Sequence, residues 1–175
     1  DLAARHGIQL SKNTSDTAIL GHLWHKLGRN PDIFFKALDG VFALILVDIE
    51  RNEILVGRDP YGVRPLFQGR DLKTGNQYFA SEMKALYDCE DQISSFNPGH
   101  YATYTITDET VLRLSYKAYH TVPWLKNPLW SPDAPDGLKE ATSALRYALQ
   151  AAVKKRLMTE RPCAALLSGG IDSSL

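Results

Sequence analysis

The stretch that most limits the fold is GVFALILVDIERNEILVGRDPYGVRPLF, residues 40–67. Val41 to Val47 are seven consecutive apolar residues, far too few to cross a bilayer and rich in strand-forming types. Apolar and polar residues do not alternate there, so the strand is expected to be buried on both faces. Asp48–Asn52 is a polar break, and Glu53–Gly57 climbs back into a second apolar strand. The pair reads as a hairpin at the centre of a layered domain. It ends in Arg58-Asp59-Pro60-Tyr61-Gly62-Val63-Arg64-Pro65. Two readings are open for this run: a turn whose charges pair with one another, or polar groups that a buried hairpin delivers for a further purpose.

The rest of the chain bounds the class. Its 175 residues allow one or two domains with a real core, and 44% hydrophobic with 23% charged residues is ordinary for a globular chain. Twenty basic residues balance twenty acidic ones, so no global field points to nucleic acid or a membrane surface. Two cysteines, Cys89 and Cys163, are too few for a disulfide framework and suit a reducing cytoplasm. No signal peptide or membrane span is visible. The start at Asp1 rather than Met, and the end at Leu175 inside a helix beginning, read as a piece of a longer protein.

Ahead of the hairpin, Ser15 or Asp16 is a good N-cap for a helix carrying Ile19, Leu20, Leu23, Trp24 and Leu27 on one face and stopped by Gly28. Pro31 opens a second short helix with Phe34, Phe35 and Leu38. Beyond the arginine-rich loop, Leu66-Phe67 and Gln77–Ala80 read as strands around a turn at Asp71–Asn76, and Glu82–Tyr87 as a short helix. In His100–Thr107, Tyr101, Thr103, Thr105 and Thr107 alternate with their neighbours, giving a strand with one wetter face; another follows near Val111–Leu114. From Tyr116 to Pro135 four of the nine prolines gather with Trp124 and Trp130, an extended linker held on a surface by its tryptophans. Leu138, Leu145, Leu149, Val153 and Leu157 then mark a long amphipathic helix with Lys154, Lys155 and Arg156 in its last turns. Domains are assigned as 1–117 and 136–175, joined by the linker 118–135.

Chemistry is most legible at the end of the chain. Cys163–Leu167 is a short apolar strand, followed by Ser168-Gly169-Gly170-Ile171-Asp172-Ser173-Ser174 opening a helix. Glycines let backbone approach a phosphate, and helix-start amides supply positive potential. Ser173 and Ser174 add hydroxyl donors, and Asp172 can hold a Mg²⁺ that bridges phosphates. No GxxxxGK[ST] is present, so this is not the lysine-bearing phosphate loop. The five histidines have no metal-ligand spacing.

This terminal motif resembles the pyrophosphatase loop of N-type ATP pyrophosphatases. With LDGVFALILVD (38–48), GRDPYGVRPLF (57–67), SEMKAL (81–86), PGHY (98–101), AVKKRLMT (152–159) and LLSGGIDSSL (166–175), the chain resembles the eukaryotic-type glutamine-hydrolysing asparagine synthetases. The resemblance covers nearly the whole chain. It implies an α+β fold: a class II (Ntn-type) glutaminase sandwich of two antiparallel sheets between helices, in four layers. The first helix and strand of an α/β ATP-pyrophosphatase domain follow. It also implies that the nucleophile is a cysteine at a processed N-terminus, expected upstream of this chain together with the oxyanion-hole Asn-Gly and the arginine that grips the glutamine carboxylate. Asp1 has no thiol to act in its place, and Cys89 and Cys163 are expected to be ordinary thiols.

By the same resemblance Asp16 matches the aspartate that binds the glutamine α-amino group; Ala18 stands where the family often has an acidic residue, and a plain helix cap is the other reading of Asp16. Leu166, Ser168, Gly169, Gly170, Asp172, Ser173 and Ser174 match the ATP- and pyrophosphate-binding loop, with Asp172 holding Mg²⁺ through pyrophosphate. Arg58, Asp59 and Arg64 read as structural, buttressing the glutaminase core and the ammonia path. The implied reaction transfers the amide nitrogen of glutamine to aspartate, with ATP and Mg²⁺, releasing AMP and pyrophosphate. This chain alone is expected to be inactive. Glutamine, aspartate and ATP are its implied partners, with no nucleic acid and no membrane, a homodimer as an allowed assembly and the cytoplasm as its place. A β-lactam-synthetase-like or peptide-cyclising relative, and a non-catalytic remnant that still folds as a scaffold, are the rival readings.

Overall fold

The computed structural model describes residues 2–11, 15–87, 89, 93–108, 110–122, 137–157 and 162–174. It divides into two units, residues 1–121 and 122–175. In the first, α1 (Leu2–Arg5) precedes a 3₁₀ turn over Asp16–Ala18, whose N-cap is Ser15, its hydroxyl accepting from the Thr17 N–H. That turn feeds α2 (Ile19–Lys26), and α3 (Pro31–Ala37) follows. Pro31 opens α3 as its chemistry allows, and the Asn30 side chain caps it by accepting from the Ile33 N–H.

Among the described residues seven strands complete the unit: β1 (Ala43–Asp48), β2 (Glu53–Arg58), β3 (Phe67–Arg70), β4 (Gln77–Ala80), β5 (Ser94–Ser95), β6 (His100–Ile106) and β7 (Val111–Ala118). They form two antiparallel sheets, a four-stranded one in the order β1-β2-β6-β7 and a three-stranded one in the order β4-β3-β5. The expected hairpin is there, but β1 is the edge strand rather than the centre. Leu44 and Leu46 pack against the core while Ile45 and Val47 are about half exposed. Burial on both faces instead falls to β2, where Leu55 faces the helices and Val56 faces the second sheet, both fully buried. An uninterrupted apolar run cannot say which of two paired strands lies inside, because that is set by what else pairs with each.

The expected wetter face of β6 is drier than its threonines imply. Tyr101 lies on it and is buried by α3: the Phe35 ring stacks on Tyr101 at 5.2 Å and 8°, and on Tyr119 at 5.3 Å and 27°. Between the sheets, Val56, Leu66, Phe96, Ala102 and Tyr104 form a second cluster. β7 extends to Ala118, so Tyr116–Ala118 are sheet and not linker. β5 was not expected, being two serines held only by β3. The expected contacts of Trp124 and Trp130 lie outside the described residues.

In the second unit, α4 (Gly137–Arg156) carries the expected stripe, with Leu138, Leu145, Val153 and Leu157 exposed. α5 (Ile171–Ser174) is one helical turn. Cys163–Leu167 forms no strand, contrary to expectation; among the described residues no neighbouring strand shares its ladder, and Leu166 and Leu167 are exposed.

Phe35 packs directly over Gly57. A Cβ at that glycine would stand 2.1 Å from Phe35 Cε1 and 2.4 Å from Cζ, which no small adjustment can relieve. Gly57→Ala is therefore expected to destabilise the domain by about 3 kcal/mol, the scale of overpacking plus lost ring contacts. Phe35→Leu should recover part of that loss in the double variant. Urea unfolding of the four proteins of the cycle checks this, and a Gly57→Ala midpoint equal to that of the parent would refute it.

Candidate functional site

The loop that follows β2 is built around two buried charged side chains that bond to backbone rather than to each other. Asp59 is 1% exposed. Its Oδ1 accepts from the N–H groups of Tyr61 (3.1 Å) and Val63 (3.0 Å), and its Oδ2 from those of Phe42 (3.3 Å) and Arg64 (3.0 Å). Its own N–H donates to Phe42 O, and its carbonyl accepts from Gly62 and Gly99. Arg58 donates through Nε to Arg64 O (2.8 Å), through Nη2 to Gly62 O (2.9 Å), and through Nη1 to Phe96 O (2.7 Å) and Ser95 Oγ (2.9 Å). Tyr119 Oη closes the set by donating to Arg58 O at 2.8 Å. The reading of a turn whose charges neutralise one another is thus corrected, and the structural reading of Arg58 and Asp59 is the one the geometry describes.

Electrostatics follow from these contacts. Burial alone would raise the Asp59 carboxyl, but the four backbone donors outweigh it and hold the group below the usual carboxylate range. Burial, aided by the Asp59 charge, pushes the Tyr119 phenol up, so it remains a donor.

The knot positions a cleft. Arg64 and Pro65 leave it along one wall of a cavity of about 600 Å³, also lined by Thr17, Asp39, Phe42 and Ser81. Thr17 follows Asp16, the first residue of the 3₁₀ turn. The cap at this turn is Ser15, so the cap reading of Asp16 is not the one formed; the Asp16 side chain lies outside what is described. Sequence reasoning passed over Asp39 and Ser81 as wall residues. The one available signal was that both stand in runs carrying the resemblance, LDGVFALILVD and SEMKAL.

In the second unit the SGG segment makes a tight turn into α5. Gly169 adopts φ +79°, a left-handed conformation that suits glycine, and Ser168 Oγ lies 2.8 Å from Ser173 Oγ. Ser173 Oγ also donates to Gly170 O at 3.2 Å, and the Ser174 N–H to the same carbonyl at 3.1 Å. Leu166 and Asp172 are exposed. The turn thus brings Ser168, Gly169, Gly170, Asp172, Ser173 and Ser174 together within one short loop, with the two serine hydroxyls in contact. Among the described residues no group of histidine, cysteine and carboxylate side chains forms a metal cage, and no helix is long and apolar enough to cross a membrane.

Residues 4–130 match the family model described as glutamine amidotransferase domain, and residues 144–175 that described as asparagine synthase. Among curated proteins, asparagine synthetase [glutamine-hydrolyzing] 2 of Arabidopsis thaliana is 38% identical over 161 residues, 92% of this chain and 25% of that protein. Asparagine synthetase [glutamine-hydrolyzing] 1 of Saccharomyces cerevisiae is 41% identical over 141 residues, 80% of this chain and 23% of that protein. The chain therefore spans about a quarter of the length of these relatives. Among solved structures, the glutamine phosphoribosylpyrophosphate amidotransferase of B. subtilis superposes with a TM-score of 0.53 at 23% identity, covering 69% of this chain and 26% of that one. At that identity the likeness is one of fold.

The knot has a clear energetic signature. Asp59→Asn keeps the shape but turns an NH₂ toward two backbone donors, so two part-buried N–H groups lose their acceptor at about 1–3 kcal/mol each. A total loss on the order of 3 kcal/mol is expected in urea unfolding at neutral pH. The Asp59 carboxyl is held low when folded, so its contribution is present above the unfolded value near about 4 and is lost as pH falls through the folded value. The stability gap between parent and Asp59→Asn should therefore narrow below about pH 4. A gap that is unchanged between pH 7 and pH 3 would rule out this role.

Proposed function

This chain belongs to the family of glutamine amidotransferase domains, and on that premise we propose that the protein is a glutamine-hydrolysing asparagine synthetase, joining aspartate to the amide nitrogen of glutamine at the expense of ATP. The observation that carries the reading is continuity: one alignment at 38% identity runs through the amidotransferase half and on into the asparagine synthase half, in the order of the relatives. The two rival readings have no comparable observation in their favour.

In this reading the cleft beside Thr17 receives glutamine, and the Asp16 carboxylate accepts the α-ammonium group. The Arg58–Asp59 knot binds no substrate; it sets where Arg64 and Pro65 stand along the wall. In the second unit, the backbone of Leu166, the N–H groups and hydroxyl of Ser168, Gly169 and Gly170, and the hydroxyls of Ser173 and Ser174 hold the phosphates of ATP. The β and γ phosphates are kept as the leaving group, so that the aspartate carboxylate attacks at the α phosphorus and AMP results.

The donor set fits Mg²⁺: Asp172 offers an exposed hard oxygen at the first turn of α5, beside two paired hydroxyls. Asp172 would hold the ion, which when bound supplies positive charge against the departing pyrophosphate. The cytoplasm is the compartment proposed for it, on the ground that two cysteines are too few for a disulfide framework. A homodimer is the assembly proposed for it.

The intact protein, assayed with glutamine, aspartate and ATP, should produce asparagine, glutamate, AMP and pyrophosphate; the absence of asparagine would overturn the reading. Asp16→Ala should lower glutamine-dependent kcat/KM about tenfold to a hundredfold, the worth of one charge-assisted bond, while synthesis from ammonia is retained. An equal fall with ammonia would make Asp16 structural. Asp172→Asn should cut asparagine and pyrophosphate formation by about a hundredfold or more, the scale of one strong electrostatic contact, while glutamine hydrolysis continues. Pyrophosphate release at the parent rate would remove Asp172 from the reaction.

A further inference from the structure

The layer between the two sheets is apolar at one end and opens at the other onto two exposed arginines, Arg70 and Arg113. Phe79 on β4 packs edge-on against Tyr104 on β6 at 5.8 Å and 77°, so that face of β4 looks toward the four-stranded sheet. Register then places three polar residues on the same inward face. Gln77 is two residues from Phe79, Arg70 is paired with Gln77, and Gln68 with Phe79. On the opposing sheet, Tyr104 is paired with Arg113 of β7. These residues meet around a cleft of about 480 Å³, lined by Gln68, Arg70, Gln77, Ser94, Tyr104 and Arg113. Each sheet thus contributes an arginine to one small cavity, of a size that suits a metabolite.

Neither guanidinium has a carboxylate partner among the described residues. Arg113 lies over the Tyr116 ring, 5.7 Å from its centroid, which steadies it without neutralising it. Asp71, next to Arg70, spends its carboxylate on its own loop, accepting from the N–H groups of Lys73 and Thr74 and from Thr74 Oγ1. Tyr104 is 2% exposed; the Arg113 guanidinium beside its hydroxyl can only donate to it, and the hydroxyl's own proton has no acceptor. Buried hydroxyls are nearly always partnered, so an unspent one beside an empty polar cavity calls for an acceptor. Burial raises the Tyr104 pKa more than the charge and hydrogen bond of Arg113 lower it, which keeps the phenol protonated as a donor.

We propose that this cleft is a binding site for a small oxyanion ligand, a phosphate- or carboxylate-bearing compound, gripped by Arg70 and Arg113 from opposite sheets and by the Tyr104 hydroxyl. Guanidinium forks match the paired oxygens of such groups, and an anion between two like charges removes their mutual repulsion. Gln68 and Gln77 already donate to Ser94 Oγ and Gly69 O, so they frame the ligand rather than carry its charge.

The test is titration of the protein, followed by calorimetry and amide NMR, with inorganic phosphate and separately with succinate, each against sodium chloride of matched ionic strength. Saturable binding of either probe is expected, and which one binds assigns the ligand as phosphate or carboxylate. Arg70→Gln and Arg113→Gln should each weaken it at least tenfold. Tyr104→Phe, which keeps the ring packing, should weaken it severalfold without lowering the unfolding midpoint. No saturable binding by either probe, the same response to sodium chloride, or undiminished binding in the Arg70→Gln/Arg113→Gln double variant would each overturn the proposal.

Discussion

The first unit depends on one buried carboxylate. Asp59 ties the entry of β1 at Phe42 to the loop at Tyr61–Arg64 through its side chain, and to Gly99 at the start of β6 through its carbonyl. These segments are distant in sequence, and the bonds that join them are short-range and directional. An apolar residue in the same place would fill space but leave four part-buried backbone donors without this acceptor. Arg58 does the complementary work, satisfying carbonyls at Gly62, Arg64 and Phe96. Together they hold an irregular loop in one conformation through directional bonds to its backbone.

Around that knot the packing is asymmetric. The helix-facing layer is a stack of rings, with Phe35 at its centre touching Phe34, Phe42, Tyr101 and Tyr119. The stack can sit that close only because Gly57 offers bare backbone beneath it. The Tyr119 ring belongs to this stack while its hydroxyl bonds to Arg58 O, so one residue joins the aromatic layer to the knot. Trp24 plays a similar part at the far end of β1, donating its indole N–H to the buried Asp48 at 2.8 Å, with Arg29 beside the same carboxylate at 3.2 Å. Polar groups on buried aromatic rings thus fix the register of a layer whose apolar contacts are not directional.

The second unit has a different character. Its loop geometry is local: Gly169 turns the chain, Ser168 and Ser173 meet, and the Ser174 N–H closes a single helical turn on Gly170 O, all within seven residues. Such a loop can be read almost letter by letter, because every contact that shapes it lies a few positions away. That is also why the SGGIDSS run was the clearest chemical signal in the sequence, while the wall residues of the cleft, Asp39 and Ser81, were not singled out.

The sequence by itself determined the elements whose causes are local. Ser15 and Asn30 cap the turn and helix they precede, Pro31 opens α3, and the polar break after Asp48 makes the hairpin. The linear order of β1 to β4, β6 and β7 and the terminal loop were legible for the same reason, as was the family likeness carried by their motifs, while β5 and the absence of a strand at Cys163–Leu167 were not. Only the tertiary structure decided which strand is interior. The run at Val41–Val47 looked like the buried centre, yet β2 lies between β1 and β6 and so takes that place. Only the fold, likewise, separated Arg58 from Asp59 as partners of backbone rather than of each other, and set Arg70 and Arg113 across one cleft. Cross-strand pairing and sheet stacking join residues tens of positions apart, and nothing in the local pattern of either partner records which distant residue it will meet.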